Sequence, residues 1–390
     1  MIGVEEALDL VDQYVKKSPP KLVDLKEALG LLLTQDVKSP IDMPPFHQSA
    51  MDGYALHYSE SVQQYTVLGE VAAGSSKQFD LKKGEAVRIF TGAAVPDSAN
   101  TVVRQEDVIR TGNSIAFTTA IEPHQNIRYQ GEQIKKGAVA LEVGTELSPA
   151  GIGFLASLGI HQVEVSPRPK ISILTTGNEL IRPGDLLEYG KVYESNSVML
   201  ESAFRQFGFF DVRQIRIPDQ YEQTVATIES CLIESDLLII SGGISVGDYD
   251  FVGKAVKAAG VKEVFYKVKQ KPGKPLYFGH YKEKLIFALP GNPAAAMTSF
   301  YLYILPTLSK WIHGKFNGCS QRELPLFSTY EKKGNRAEFL KAFAFENEVR
   351  ILDGQSSAML RSFAQANALV YIPEDISIVE EGEFVLVLML

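Results

Sequence analysis

Glycine, serine, lysine and carboxylate side chains gather in a few short stretches of this chain, and together they suit the handling of an anion. Ser241-Gly242-Gly243-Ile244-Ser245-Val246-Gly247-Asp248-Tyr249-Asp250 follows a very apolar run. Free backbone N–H groups in such a loop hold phosphate or oxyanion groups without side-chain charge. Lys262 to Lys274 is the strongly basic segment, with Lys267, Lys269 and Lys271 at alternate positions ahead of Pro272-Gly273 and Lys274. Along a strand that alternation puts all three on one side. The Pro-Gly turn then leaves Lys271 and Lys274 flanking a tight loop, which favours anion binding over a merely solvated face. Thr175-Thr176-Gly177-Asn178-Glu179, Pro218-Asp219 and Pro290-Gly291-Asn292-Pro293 are further polar loops. Glu179 and Asp219, with Asp248 or Asp250, offer hard oxygen ligands to Mg²⁺ bound beside a phosphorylated ligand. Asp248 and Asp250 also stand where helix N-caps belong.

Better-known chemistries fit less well. Gly243-Ile244-Ser245-Val246-Gly247 matches the G-x-S-x-G elbow of serine hydrolases. The rest of a triad is not evident, since only His280 and His313 lie downstream and no Asp occurs between Asp250 and Asp353. Gly151-Ile152-Gly153-Phe154-Leu155-Ala156 fits a dinucleotide pattern, but a Ser148-Pro149 helix start precedes it where a strand is needed. The histidines show no i, i+4 pair, and Cys231 and Cys319 form neither a C-x-x-C nor a disulfide framework.

The elements that must position these loops can be read from periodicity. Val4, Ala7, Leu8, Val11 and Val15 recur at helical spacing until Ser18-Pro19-Pro20. From about 41 to 143 short β-branched runs alternate with Gly, Asn and Pro turns, a β-rich module. From 170 onward strands at 171–175, 212–217, 237–240, near 264–268 and at 285–289 alternate with helices at 196–207, 221–233, 251–259 and 293–311. That order predicts a doubly wound parallel sheet, in which ligands bind beyond the carboxyl ends of the strands. The polar loops follow those ends in register. After Gly314 the chain returns to β-like runs, a small C-terminal β domain.

With 390 residues the chain is long enough for two to four domains. A hydrophobic share of 45% and a charged share of 22% are ordinary for a globular protein. The formal charge of −8 argues against a general binder of nucleic acid or acidic membrane. Neither a signal peptide nor a membrane span is evident, so a cytoplasmic location is expected.

Ser49-Ala50-Met51-Asp52-Gly53-Tyr54-Ala55, Thr91-Gly92-Ala93, Thr176-Gly177-Asn178-Glu179-Leu180, the Ser241–Gly247 stretch, Lys271-Pro272-Gly273-Lys274-Pro275 and Leu289-Pro290-Gly291-Asn292-Pro293 occur in one order. In that order the chain resembles the molybdopterin molybdenumtransferases, the bacterial MoeA proteins and the E domains of proteins such as gephyrin. The resemblance covers essentially the whole length. It implies the last step of molybdenum cofactor synthesis: molybdate and adenylylated molybdopterin react, AMP is released, and dithiolene sulfurs take up molybdenum.

Carried over residue by residue, the resemblance implies that Asp52, Thr91, Glu179, Asp219, Asp250, Lys267 and Lys271 act in the reaction. Ser241, Gly242, Gly243, Ser245, Gly247, Asp248, Lys274, Pro275, Asn292, Arg336 and Ser357 would bind the ligands. Lys271, Lys274, Arg336 and Ser357 would hold molybdate, and Glu179, Asp219 and Asp250 would hold Mg²⁺. The resemblance further implies an α/β plus β protein of four domains: 1–40 with 141–168 as a discontinuous linker domain, a 41–140 β-rich module, a 169–314 molybdopterin-binding α/β domain, and a barrel-like β domain at 315–390. It implies a homodimer with the Asp52 loop facing the central domain of the partner subunit. Molybdopterin adenylyltransferase and molybdoenzyme-maturation proteins are the expected partners. The chain departs from the usual pattern at His47-Gln48, Gln133 and Ala294-Ala295. A non-catalytic scaffold of the same fold is the rival reading.

Overall fold

A computed structural model of the chain describes residues 1–244 and 251–390. The chain divides into two compact units, Lys21–Val165 and Met1–Pro20 together with Ser166–Leu390. Helix α1 (Val4–Tyr14) buries Val4, Ala7 and Val11, the apolar stripe of the sequence pattern. Lys310 donates to the Asp12 carboxylate and carbonyl at 2.8 and 2.7 Å, so residues 1–20 pack with the second unit and apart from the rest of the 1–40 stretch.

In Lys21–Val165 a six-stranded sheet runs in the order Thr101–Arg104, Gly53–Leu56, Glu85–Ile89, Gln64–Val71, Ser114–Phe117, Val108–Thr111. Alternate residues serve two cores: Tyr54, Leu56 and Tyr65 lie in one, Ala55, Val87 and Ile89 in the other. Gly53 is obligatory, because a Cβ there would stand 1.9 Å from the Val103 carbonyl oxygen. A third core, with Leu25, Leu33, Leu147, Leu155 and Val163, joins residues from 21–40 to residues after 141. Its helix Pro149–Ser157 is capped by Ser148, whose hydroxyl accepts from the Gly151 N–H at 3.1 Å.

The α/β part of the other unit has strands β1 (Ile171–Thr176), β2 (Val212–Ile217), β3 (Leu237–Ser241), β4 (Lys262–Tyr266), β5 (Tyr277–Tyr281) and β6 (Lys284–Leu289) in the order β2-β1-β3-β6-β5-β4. Strands β2, β1, β3 and β6 pair in parallel, while β5 pairs antiparallel with both β6 and β4. The sheet is therefore mixed at one edge, through a strand that periodicity did not reveal. Helix α2 (Asn196–Gln206) packs on β1 and β2. Helices α3 (Tyr221–Glu234) and α4 (Phe251–Ala258) share a core with Leu174, Ile240 and Ala288.

The single long helix expected over 293–311 is interrupted. Helix α5 (Pro293–Ser299) passes through a π-helical stretch, Phe300–Ile304, into α6 (Leu305–His313). Pro306 has no N–H to donate, which accounts for a break near this point. In the C-terminal β domain the strand Ala337–Ala344 pairs with Ala368–Ile372 and, in parallel, with Gln270–Lys271 from the α/β part. Among the described residues no helix is long and apolar enough to cross a membrane.

Candidate functional site

Parallel strands carry their loops to one sheet edge, and the polar loops of the α/β part meet there. Gly242 follows β3 directly, with φ of 93°. A Cβ would lie 2.5 Å from the Thr176 carbonyl oxygen, so only glycine permits the ends of β1 and β3 to come this close. Asn196, at the start of α2, donates from its side-chain amide to the Ser241 hydroxyl and to the Gly291 carbonyl, both at 2.8 Å. One buried amide thus ties the loop after β3 to the loop after β6.

A cavity of about 740 Å³ opens at this edge, lined by Thr175, Thr176, Glu179, Ser241, Gly242, Lys274, Pro275 and Asn292 among others. That is the size of a site for a drug-sized or nucleotide-like ligand. Gly243 also adopts positive φ, 66°. Ser245, Gly247, Asp248 and Asp250 lie outside the described residues.

Glu179 and Asp219 are exposed on the loops after β1 and β2, which are neighbours in the sheet. The Asp219 carboxylate accepts from the Thr176 hydroxyl and, at 3.1 Å, from the Asn178 N–H. Asn178 returns the bond, its Oδ1 accepting from the Asp219 N–H at 3.2 Å. Among the described residues no group of three His, Cys, Asp or Glu side chains comes together to cage a metal. Mg²⁺ bound with phosphates needs only one or two carboxylates and keeps waters, and these two carboxylates are donors of that kind.

A second cavity of about 380 Å³ is lined by Lys271, Lys274, Arg336 and Ser357, with Pro275, Asn292 and Gln355 among the rest. The four residues assigned to molybdate from sequence therefore share one cavity. Lys274, Pro275, Pro290 and Asn292 line both cavities, which makes the two contiguous. Arg336 donates to the Gln270 carbonyl at 3.2 Å, and the Ser357 hydroxyl accepts from the Asn292 amide at 2.9 Å.

The lysine alternation is not that of a strand. Strand β4 ends at Tyr266 and Lys267 takes φ of 79°, so Lys267, Lys269 and Lys271 do not share a face. Lys267 stands 5.0 Å over the Tyr266 ring, and Lys269 pairs with Glu374 at 3.9 Å. Lys267 lines neither cavity.

In the Lys21–Val165 unit, Asp52 and Thr91 are brought together. One oxygen of the Asp52 carboxylate accepts from both the N–H and the hydroxyl of Thr91, each at 2.8 Å. These bonds, the backbone one first, hold the Asp52 carboxyl below its ordinary 3.8, with a smaller contribution from Arg88. His47, a departure from the usual pattern, accepts from the Gln130 N–H at 3.0 Å and packs edge-on against Tyr129, a role internal to this unit.

Sequence reasoning missed several supporting residues. Glu338 is buried and accepts from Lys271 at 2.8 Å and from the Tyr330 hydroxyl at 2.6 Å. Buried Lys341 donates to the carbonyls of Gly354, Ser356 and Met359 at 2.6, 3.1 and 3.0 Å, holding the loop that carries Ser357. Desolvation lowers the affinity of that amine for its proton below the usual lysine value. Each sits in an apolar strand pattern that reads as core; only the polar residue amid such a run signals otherwise.

The sheet edge, the glycine-lined loop and the cationic cavity define a ligand-binding α/β protein extended by a β domain. Its family follows from three matches: the MoeA N-terminal region (domain I and II) over residues 2–159, the probable molybdopterin binding domain over 172–310, and the MoeA C-terminal region (domain IV) over 323–390. A molybdopterin molybdenumtransferase from Haemophilus influenzae is 32% identical over 99% of this chain and 98% of its own. Molybdopterin molybdenumtransferase 2 from Mycobacterium tuberculosis is 33% identical over 98% of both. The crystal structure of a MoeA molybdopterin biosynthesis protein from Pyrococcus horikoshii superposes with a TM-score of 0.78 at 30% identity, covering 100% of this chain and 99% of that one. The chain belongs to the molybdopterin molybdenumtransferase (MoeA) family.

Proposed function

We propose that the protein is a molybdenum insertase, a molybdopterin molybdotransferase. It takes molybdate and adenylylated molybdopterin, the phosphoanhydride is cleaved with release of AMP, and molybdenum passes to the dithiolene sulfurs. The observation that carries this reading is the pair of contiguous cavities. The larger has room for a pterin nucleotide, and the smaller presents Lys271, Lys274 and Arg336 to a compact oxyanion. Shared walls at Lys274 and Asn292 would place the oxyanion against the larger ligand, and such proximity is a large part of what an enzyme supplies.

Preset lysine and arginine charges stabilise a dianion and the charge that develops as the anhydride breaks. Ser357 and Asn292 would orient the oxyanion by hydrogen bonding, and Ser241 and Gly242 line the cavity that would take the larger ligand. Glu179 and Asp219, with Asp248 or Asp250, would hold Mg²⁺, which when bound neutralises phosphate charge. In this reading the chain works in the cytoplasm as a homodimer, with Asp52 and Thr91 serving the site of the partner subunit. Molybdopterin adenylyltransferase would supply the substrate and molybdoenzyme-maturation proteins would take the product.

The scaffold reading rests on the hydroxyl missing at Ala294-Ala295 and on Gln133. Ala295 does line the smaller cavity, but the Ser357 and Asn292 side chains supply polar groups to it. Incubation with adenylylated molybdopterin, Mg²⁺ and molybdate separates the two readings. The insertase releases AMP in a molybdate-dependent manner, and a scaffold releases none.

A further inference from the structure

Glu338 is 1% exposed, and both of its oxygens are engaged: one accepts from the Lys271 amine at 2.8 Å, the other from the Tyr330 hydroxyl at 2.6 Å. The contact is built into the backbone, because Gln270–Lys271 pairs in parallel with Ala337–Glu338 and sets Glu338 opposite Lys271. A carboxylate this deep is stable only when paired and hydrogen-bonded. The Lys271 side chain keeps 39% of its surface exposed and lines the smaller cavity, so a side chain whose amine is anchored by Glu338 also borders the cavity. A free lysine stem has four rotatable bonds and would otherwise spread its charge over many positions.

We propose that Glu338 is a positioning residue for the oxyanion site, holding the Lys271 amine at the cavity wall and setting the local charge. Lys271, Lys274 and Arg336 against one carboxylate leave a formal charge of +2, the match for a tetrahedral dianion. Tyr330 is the second anchor: burial and the neighbouring Glu338 raise its pKa, so its hydroxyl remains a donor. The inference rests on the reading of the smaller cavity as the molybdate site.

Calorimetric titration with molybdate of the wild type and of Glu338→Gln, Tyr330→Phe, Lys271→Ala and the Lys271→Ala/Glu338→Gln double variant tests it. Glu338→Gln weakens molybdate binding about tenfold, and Tyr330→Phe, which keeps the carboxylate, weakens it by about two- to threefold. The double variant binds no more weakly than Lys271→Ala alone, because Glu338 acts through Lys271. In turnover the KM for molybdate rises while kcat stays within about twofold, the pattern of lost ground-state binding. Wild-type binding by folded Glu338→Gln, or a further loss of about tenfold in the double variant, overturns the proposal. Failure of the wild type itself to bind molybdate overturns the underlying site assignment instead.

Discussion

The side-chain amide of Asn292 donates to the hydroxyl of Ser357 over 2.9 Å, and the Ala294 N–H donates to the carbonyl of the same serine at 3.1 Å. Asn292 stands on the loop after β6 and Ser357 in the C-terminal β domain, so the smaller cavity is a joint product of both. Parallel pairing of Gln270–Lys271 with Ala337–Glu338 makes the same join from the other side. The α/β part alone would supply Lys271 and Lys274 but neither Arg336 nor Ser357.

Lys271→Ala removes one of the cavity's cations and leaves Glu338 buried without its ion pair. The KM for molybdate is expected to rise about 10- to 100-fold, the loss of a charge-assisted contact. Size-exclusion chromatography should show an unchanged oligomer, and the melting temperature should fall. Unchanged turnover at limiting molybdate would contradict the assignment.

Asp219→Asn keeps the shape of the side chain but removes its charge. The Thr176 and Asn178 donors that now meet a carboxylate would meet an amide, and a metal would lose an anionic ligand. The half-saturating Mg²⁺ concentration for AMP release should rise about tenfold, with the KM for molybdate little changed. A shift in molybdate dependence instead would move Asp219 out of the metal role.

Asp52 titrates below 3.8 because Thr91 donates to it twice. A depressed carboxyl contributes stability that is present above the unfolded pKa and is lost as pH falls through the lower folded value. At neutral pH the contribution is complete, and it is lost progressively as pH falls through 3.8 toward the lower folded value. In Thr91→Val the backbone N–H remains and the hydroxyl goes, so the Asp52 carboxyl should move part of the way back up. Carboxyl-carbon NMR titration reads this directly, and a downward move would refute the hydrogen-bond explanation.

Much of this was legible in the sequence because a parallel sheet repeats a simple rule. A β-branched run followed by a polar, glycine-bearing loop and a helix places the loop at one edge, so Glu179, Asp219, Ser241 and Asn292 could be grouped before any coordinates. The meeting of Asn292 with Arg336 and Ser357 came from family resemblance alone, since no periodicity links a sheet edge to loops in another domain. Lys267 was misplaced because a lysine at positive φ leaves no local mark, and alternation in a basic run reads as a strand. Strand β5 was hidden by Gly279 and His280, which weaken its β pattern. Glu338 was missed for the opposite reason: in Ala337–Ala344 it lies within a buried run, where a carboxylate needs the Lys271 and Tyr330 partners that only the fold supplies.

If Asp52 serves the partner subunit, complementation should follow. Asp52→Asn and Lys271→Ala subunits, each nearly inactive alone at limiting molybdate, would form mixed dimers with one intact site after co-refolding. Random pairing in a twofold dimer then restores about a quarter of wild-type activity. No recovery in a preparation shown to contain mixed dimers would place Asp52 in the site of its own subunit or outside the site.

The central claim is that the cavity of Lys271, Lys274, Arg336 and Ser357 holds molybdate. A crystal soaked in molybdate and measured at the molybdenum absorption edge tests it with one map. The account predicts an anomalous peak within hydrogen-bonding reach of those side chains, in the smaller cavity at its junction with the larger one. A peak elsewhere, or an empty cavity at saturating molybdate, would contradict it.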